Sequence, residues 1–249
     1  MKLVTPAAVP AGIIVWAALL CVACASPMRV ALKSPFPLTY GGTTIPANGA
    51  AVGVEYGSGL AGQELERAAI LNLNLGIGVL DRVSVSAAAY GGHESGDPPG
   101  VLWRAKVRLG EWFGPRSSVG LHVGVATTDR QDLPAQDDDL RSIDVAVPAE
   151  FLLSEPAERG KRSVYIGPRV IRETYHDELN RSQDLRTTYA GVLGGGHVRY
   201  GVLHLFAEAT LLYVPKSSLH GVTHGGRLTV MPTVGALLRI GTEHKWEGR

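Results

Sequence analysis

Leu71, Leu73, Leu75, Ile77 and Val79 alternate with Asn72, Asn74, Gly76 and Gly78. Side chains on a strand point to opposite faces with a period of two, so this run predicts a β-strand with one apolar face and one small or polar face, and it fits no helix. After Leu80-Asp81-Arg82 the alternation resumes at Val83, Val85, Ala87 and Ala89, which predicts a tight hairpin. The same test picks out further segments at residues 52–56, 101–109, 119–125, 143–153, 164–170, 190–198, 203–211 and 228–240. The chain is therefore expected to be all-β, an up-and-down antiparallel barrel of about ten strands, with eight to twelve allowed. Residues 60–69 offer the one helical alternative and are assigned to a loop.

Connection lengths add a direction. Short turns are expected at 80–82, 113–116, 156–160 and 199–201, and longer polar loops at 58–67, 92–100, 128–141, 176–186 and 215–226. With strands running up and down, the short turns gather at one end and the long loops at the other. Transmembrane β-barrels show this asymmetry, whereas a β-sandwich has no reason to segregate its turns.

The faces opposite the apolar stripes carry Glu55, Arg104, Lys106, Arg108, Asp144, Glu150, Arg169, His204 and Glu208, among others. In a soluble barrel these charges meet solvent; in a membrane barrel they line the lumen while the stripes meet lipid. Aromatic residues cluster at strand ends, with Tyr56, Tyr90, Trp103, Tyr175, Tyr189 and Tyr213 towards the long loops and Trp112, Phe113, Tyr165 and Tyr200 towards the short turns. Interfacial girdles are placed this way.

Composition narrows the function classes. The 249 residues are 45% hydrophobic and 19% charged, which excludes a disordered polyelectrolyte. A formal charge of +1 gives no global reason to expect nucleic acid as partner. Glycine is abundant at 31 residues, with no collagen-like period to explain it.

Residues 11–23 form an apolar run too short to span a bilayer as a helix and suited to a signal-peptide core. Residues 1–25 are expected to be a signal peptide, 26–48 an extended Pro/Thr/Gly-rich tether, 49–241 the β-barrel and 242–249 a polar tail. Cleavage before Ser26 fits the small-x-small rule at Ala23-Cys24-Ala25. Val22-Ala23-Cys24 also resembles the end of a bacterial lipoprotein signal, which would acylate Cys24, although Cys21 stands where that pattern usually has Leu. Both cysteines, Cys21 and Cys24, fall in the leader, so a disulfide framework, zinc cluster or cysteine nucleophile is excluded from the folded body.

The hairpin LNLNLGIGVLDRVSVSAAAYGG, residues 71–92, resembles hairpins of Gram-negative outer-membrane β-barrel proteins. That resemblance implies outer-membrane lipid and the barrel assembly machinery as partners, an outer-membrane location and both termini in the periplasm. Two departures stand out. The chain ends on a polar tail rather than a terminal aromatic, and Pro148, Pro168 and Pro232 fall within strands, where bulges or strand ends are then expected.

Candidate site residues are a lumen charge network of Arg104, Lys106, Arg108, Glu150, Arg169, His204 and Glu208, filling an interior too narrow for a wide channel. Arg104, Lys106 and Arg108 form a basic ladder on one strand, and His204 and Glu208 are placed to share a site. No catalytic, metal or cofactor motif is present: there is no G-x-S-x-G, HExxH or P-loop, and Gly194-Gly195-Gly196 reads as room for large lumen neighbours rather than a phosphate cradle. Three functions follow as expectations. The first is an outer-membrane barrel of structural, adhesive or narrowly permeating role. The second is a soluble periplasmic barrel lipoprotein holding an apolar ligand. The third is an envelope lipid-modifying or proteolytic barrel enzyme, for which no residue speaks directly.

Overall fold

A computed structural model describes residues 33–34, 38–61, 66–92, 100–130, 138–153, 161–176, 185–214, 217–219, 222–224 and 226–241. The leader, with Cys21 and Cys24, the Pro156–Gly160 turn and the tail after Gly241 lie outside the described residues. The strands are β1 (Lys33–Ser34), β2 (Ala50–Ala61), β3 (Glu66–Leu80), β4 (Val83–Gly92), β5 (Gly100–Gly110), β6 (Ser117–Arg130), β7 (Asp138–Ala146), β8 (Ala149–Leu152), β9 (Lys161–His176), β10 (Leu185–Tyr200), β11 (Leu203–Val214), β12 (Ser217–Leu219), β13 (Val222–His224) and β14 (Arg227–Ile240).

Each wall strand pairs antiparallel with its neighbour in sequence, and β14 returns to pair with β2 through Val234 opposite Tyr56 and Ile240 opposite Ala50. The sheet thus closes on itself as a ten-stave barrel, with β7 and β8 forming one stave between β6 and β9. Closure removes the edge where Ala50–Gly57 and Thr233–Ile240 pair, and beyond that stretch β2 pairs with β1 at Leu60 and Ala61. A small β12–β13 hairpin extends the loop between β11 and β14.

Alternation sets the barrel's polarity. The stripe Leu71, Leu73, Leu75, Ile77 and Val79 points outward, as do Val230, Leu228, Leu238 and Ile240 on β14. Glu55, Asp144 and Arg169 point inward and are buried. From Leu228 to Ile240 the outward stripe runs about 40 Å along the strand, or about 30 Å along the axis at a tilt of about 40°, enough to cover the apolar band of a membrane barrel. The soluble alternative needs the stripes to face inward around an apolar ligand, and they face the other way.

Of the three prolines, Pro148 falls at a strand end as expected, since β7 stops at Ala146 and β8 begins at Ala149. Ala146 faces Arg169 and Ala149 faces Ile166, so the pairing resumes beyond Pro148 without a slip, with Gly120 N–H donating to the Pro148 carbonyl at 3.0 Å. Pro168 and Pro232 stay in register opposite Val192 and Ala209. The β14–β2 ladder begins at Thr233, so Pro232 sits just past the last closing pair. The register shifts lie instead at Gly78/Leu80 and Arg108/Gly110, beside two short turns, where extra twist helps the chain reverse. At the β10–β11 turn Gly201 has φ +59°, a conformation glycine adopts without a Cβ penalty.

The largest correction concerns the tether expected at 26–48. Residues 38–46 lie inside the barrel, where Leu38 and Thr39 are fully buried. β1 pairs with Leu60 and Ala61 at the long-loop end, residues 38–44 descend through the lumen, and Gly49 turns into β2 at the short-turn end. The barrel wall begins and ends at the short turns, whereas residues 33–34 pair at the opposite mouth; both termini lie outside the described residues. Wall glycines make room for this segment. A Cβ on Gly78 would lie 1.7 Å from the Pro46 carbonyl oxygen, and one on Gly235 would lie 2.5 Å from Leu38 Cδ1. Gly78→Ala is therefore expected to destabilise by about 1–3 kcal/mol through overpacking. Gly91→Ala, with nothing within 4 Å, should stay within about 0.5 kcal/mol of wild type in urea unfolding of the refolded barrel.

Candidate functional site

Three layers of polar side chains hold residues 38–44 in the lumen. In the first, Glu55 of β2 is the hub. It accepts from Arg104 Nη1 at 2.7 Å, from Asn72 Nδ2 at 2.9 Å, from the Tyr40 hydroxyl and from the Leu38 amide at 3.4 Å. Arg104 also donates to the Leu38 carbonyl at 3.3 Å and lies over the Tyr40 ring. Charge-assisted bonds of this kind are the strong ones, and here β2, β3 and β5 converge on the inserted segment.

In the second layer Arg169 of β9 forms a bidentate fork on Asp144, with Nε to Oδ1 at 2.9 Å and Nη2 to Oδ2 at 2.6 Å. Its Nη1 reaches Glu208 at 3.0 Å and Thr210 at 2.9 Å. Glu208 uses its other oxygen to accept from the Thr39 amide at 3.0 Å and hydroxyl at 2.7 Å. His122 Nε2 lies 3.3 Å from Asp144.

The third layer lies nearer the short turns. Lys106 Nζ donates to the Thr39 and Tyr40 carbonyls at 2.8 and 2.9 Å. Glu150 accepts from the Gly42 and Thr43 amides at 2.8 and 3.2 Å and from the Ser163 hydroxyl at 2.5 Å. His197 stacks on Phe206 at 4.2 Å between centroids, and its Nε2 lies 3.0 Å from His204 Nδ1.

Six of the seven expected network residues are buried in this interior: Arg104, Lys106, Glu150, Arg169, His204 and Glu208. Arg108 stands apart, pairing with Glu111 at 2.7 Å at the short-turn mouth. The basic ladder is thus split three ways, between a carboxylate, two main-chain carbonyls and a surface pair. His204 faces His197 and not Glu208, which Arg169 and Thr39 occupy. Sequence reading missed the central partner, residues 38–44, because main-chain amides and carbonyls leave no side-chain signature.

Expected girdle aromatics divide between the two faces. Trp103, Tyr213, Trp112, Phe113 and Tyr200 are exposed on the outside, whereas Tyr90, Tyr165 and Tyr189 are buried within. Tyr90 bonds with Thr128, Tyr189 donates to Glu173 at 2.9 Å, and the Tyr165 ring covers Gly195, where a Cβ would lie 2.5 Å from Cζ. The glycine run on β10 therefore does make room for a lumen neighbour.

The chemistry of Ser163, His197 and Glu150 is structural. A nucleophilic relay needs the carboxylate on the imidazole nitrogen remote from the serine. Here Ser163 Oγ and His197 Nδ1 both lie near the same oxygen, Glu150 Oε1, and the remote nitrogen faces His204. Among the described residues no group of three or more His, Cys, Asp or Glu is arranged to hold a metal ion.

A closed antiparallel barrel with a charged interior and an apolar exterior has the polarity of a transmembrane β-barrel. Its neighbours among solved structures are outer-membrane barrels. OmpT, an outer membrane protein of Vibrio cholerae, aligns at 11% identity over 76% of this chain, with a TM-score of 0.33. Neisserial surface protein A aligns at 14% over 77% of this chain and 95% of its own, with a TM-score of 0.35. The N-terminal β-barrel domain of Pseudomonas aeruginosa OprF aligns at 13% over 78% of this chain and 98% of its own, with a TM-score of 0.29. The chain spans 64% of the length of the Vibrio protein. No protein-family model matches the sequence, and no curated protein matches it as a relative. Overlaps this loose carry no functional argument, and the barrel rests on its own ladder closure.

Proposed function

We propose that this chain is an integral outer-membrane barrel of structural role whose lumen is closed by its own residues 38–49. The observation that supports this most directly is the double use of the lumen charges: Glu55, Lys106, Glu150 and Glu208 each bind main-chain atoms of the inserted segment. A permeation pathway would leave such charges facing water. In this reading the short turns face the periplasm, the long loops face outward, and the barrel assembly machinery inserts the chain. Acylation of Cys24 would add a second attachment to the membrane.

The test is reconstitution into planar bilayers, with heat-modifiable gel mobility of the same sample as the report of folding. Wild type is expected to show the mobility shift and no steady conductance. A chain lacking residues 38–48 that keeps the shift is expected to conduct ions. Steady conductance by wild type, or release of the native protein from membranes by alkali, would overturn the proposal.

A further inference from the structure

We propose that the outward face of β7, β9 and β10 at the long-loop rim is a docking surface for a lipid with an anionic phosphate headgroup, held through Arg172. The site rests on the reading that the outer stripes meet lipid. Arg172 is exposed and lies between Ile171 and Glu173, which are buried in the lumen, so its side chain stands on the outer surface. The ladders place it opposite Ile143 on β7 and Thr188 on β10. One outward step higher on β9, Thr174 is opposed by Arg141 of β7 and Arg186 of β10, both exposed. With neighbouring strands about 4.8 Å apart, these two arginines flank Thr174 across about 10 Å, and Arg172 lies about 7 Å below it.

The apolar stripes end at this level. Below it Val145 and Ile143 on β7, Ile166 and Val170 on β9 and Val192 on β10 are exposed; from it upward the described outward residues are Arg141, Arg172, Thr174, Arg186 and Thr188. An outward arginine is costly at the middle of the lipid band and cheap near its edge, so this change of character marks the height of the headgroups. Arg141 and Arg186 each have a further interaction and add positive potential on either side, whereas Arg172 has no hydrogen-bond or ion-pair partner among the described residues. No Asp or Glu faces outward among the described side chains of these three strands, because Asp144 and Glu173 point into the lumen. The patch also occupies one sector. Elsewhere on the described rim β6, β11 and β14 present Thr127, Tyr213 and Leu228. A girdle that met headgroups in general would spread around the barrel, whereas a one-sided patch selects a ligand. The guanidinium fork matches two phosphate oxygens, and Ile143, Val145 and Val170 beneath it offer the acyl chain an apolar track.

The experiment refolds the protein into phosphatidylcholine vesicles carrying a trace of spin-labelled phosphatidic acid or spin-labelled phosphatidylcholine, and reads by electron spin resonance the label immobilised at the barrel surface. A saturable component is expected that prefers phosphatidic acid about tenfold or more. Arg172→Gln should abolish that preference, the loss expected when a charged hydrogen bond to the ligand is removed. Arg82→Gln, which changes an exposed arginine in the turn between β3 and β4 at the opposite end, should leave it unchanged. No preference in wild type, or the same preference in Arg172→Gln, overturns the proposal and means that water satisfies Arg172. An equal loss in Arg82→Gln also overturns it, since the preference would then report overall charge. A wild-type dimer that Arg172→Gln converts to monomer overturns it as well and gives the face to a second copy of the chain. Heat-modifiable mobility and resistance to alkali extraction report the barrel and its insertion separately. Release by alkali sinks the outer-membrane reading, whereas an inserted barrel without lipid preference sinks the headgroup site alone.

Discussion

Arg169→Met is expected to lower the stability of the barrel by about 3–5 kcal/mol, the range for stripping one partner from a buried ion pair. Arg169 is 1% exposed and its hydrogen bonds include two to Asp144, one to Glu208 and one to Thr210. Methionine fills much of the same volume, so the loss reports charge and not a cavity. It leaves Asp144 and Glu208 facing a low-dielectric interior without their cation. Glu208 then repels Asp144 while still holding Thr39, so the inserted segment should loosen along with the wall.

Urea unfolding of the barrel refolded into lipid vesicles, followed by tryptophan fluorescence, measures the effect. The triple variant Arg169→Met/Asp144→Asn/Glu208→Gln should recover most of it, since removing the whole charged cluster removes the uncompensated carboxylates as well. The size of the single-variant loss discriminates between two interiors. In a water-filled lumen the same ion pairs would be screened and worth at most about 1 kcal/mol. A loss that small would contradict a closed, dry interior.

Lipid leaves a record in sequence because it repeats every second residue. The alternation from Leu71 to Val79 places these residues on one face, and the outward exposure of Leu73 and Leu75 follows from that parity. Loop asymmetry was legible for a related reason, since turn length is written directly in the chain. Partner choice inside the lumen was not. His204 and Glu208 share a strand face, yet the lumen is narrow enough that groups on other strands and on the inserted segment are as near as the next inward residue along the strand. His204 therefore meets His197, and Glu208 meets Arg169 and Thr39.

The inserted segment was the least legible part. Its Pro, Gly and Thr content fits a turn-rich tether equally well, and its main-chain groups bond to the wall whatever side chains they carry. The trace it leaves lies elsewhere, in glycines such as Gly78 and Gly235 at inward strand positions. Proline was partly legible: a bulge or strand end was expected at each, and a strand end falls at Pro148, between β7 and β8, while the alternation of the neighbours keeps Pro168 and Pro232 in register with β10 and β11.

Leu73→Arg provides the sharpest test of what covers the outer face. Leu73 is the central residue of β3, opposite Val54 on β2 and Ala89 on β4, and it is 61% exposed. Leu80, at the end of the same strand beside the short turn, is also 61% exposed. Exposure, residue type and strand are therefore matched, and what differs is depth along the barrel axis together with the register shift beside Leu80. On a lipid-facing surface Arg costs about 2–4 kcal/mol at the midplane and about 0–1 kcal/mol near an interface. Leu73→Arg should thus destabilise the vesicle-embedded barrel by about 2–4 kcal/mol, while Leu80→Arg, close enough to the headgroups for its guanidinium to reach them, should change stability by at most about 1 kcal/mol. On a water-facing barrel both substitutions would replace an exposed leucine by a solvated arginine, and both should stay within about 0.5 kcal/mol of wild type. Equal, small effects at the two positions would mean that water, not lipid, meets the apolar stripe, and the outer-membrane proposal would fall with that result even though the closed barrel would stand.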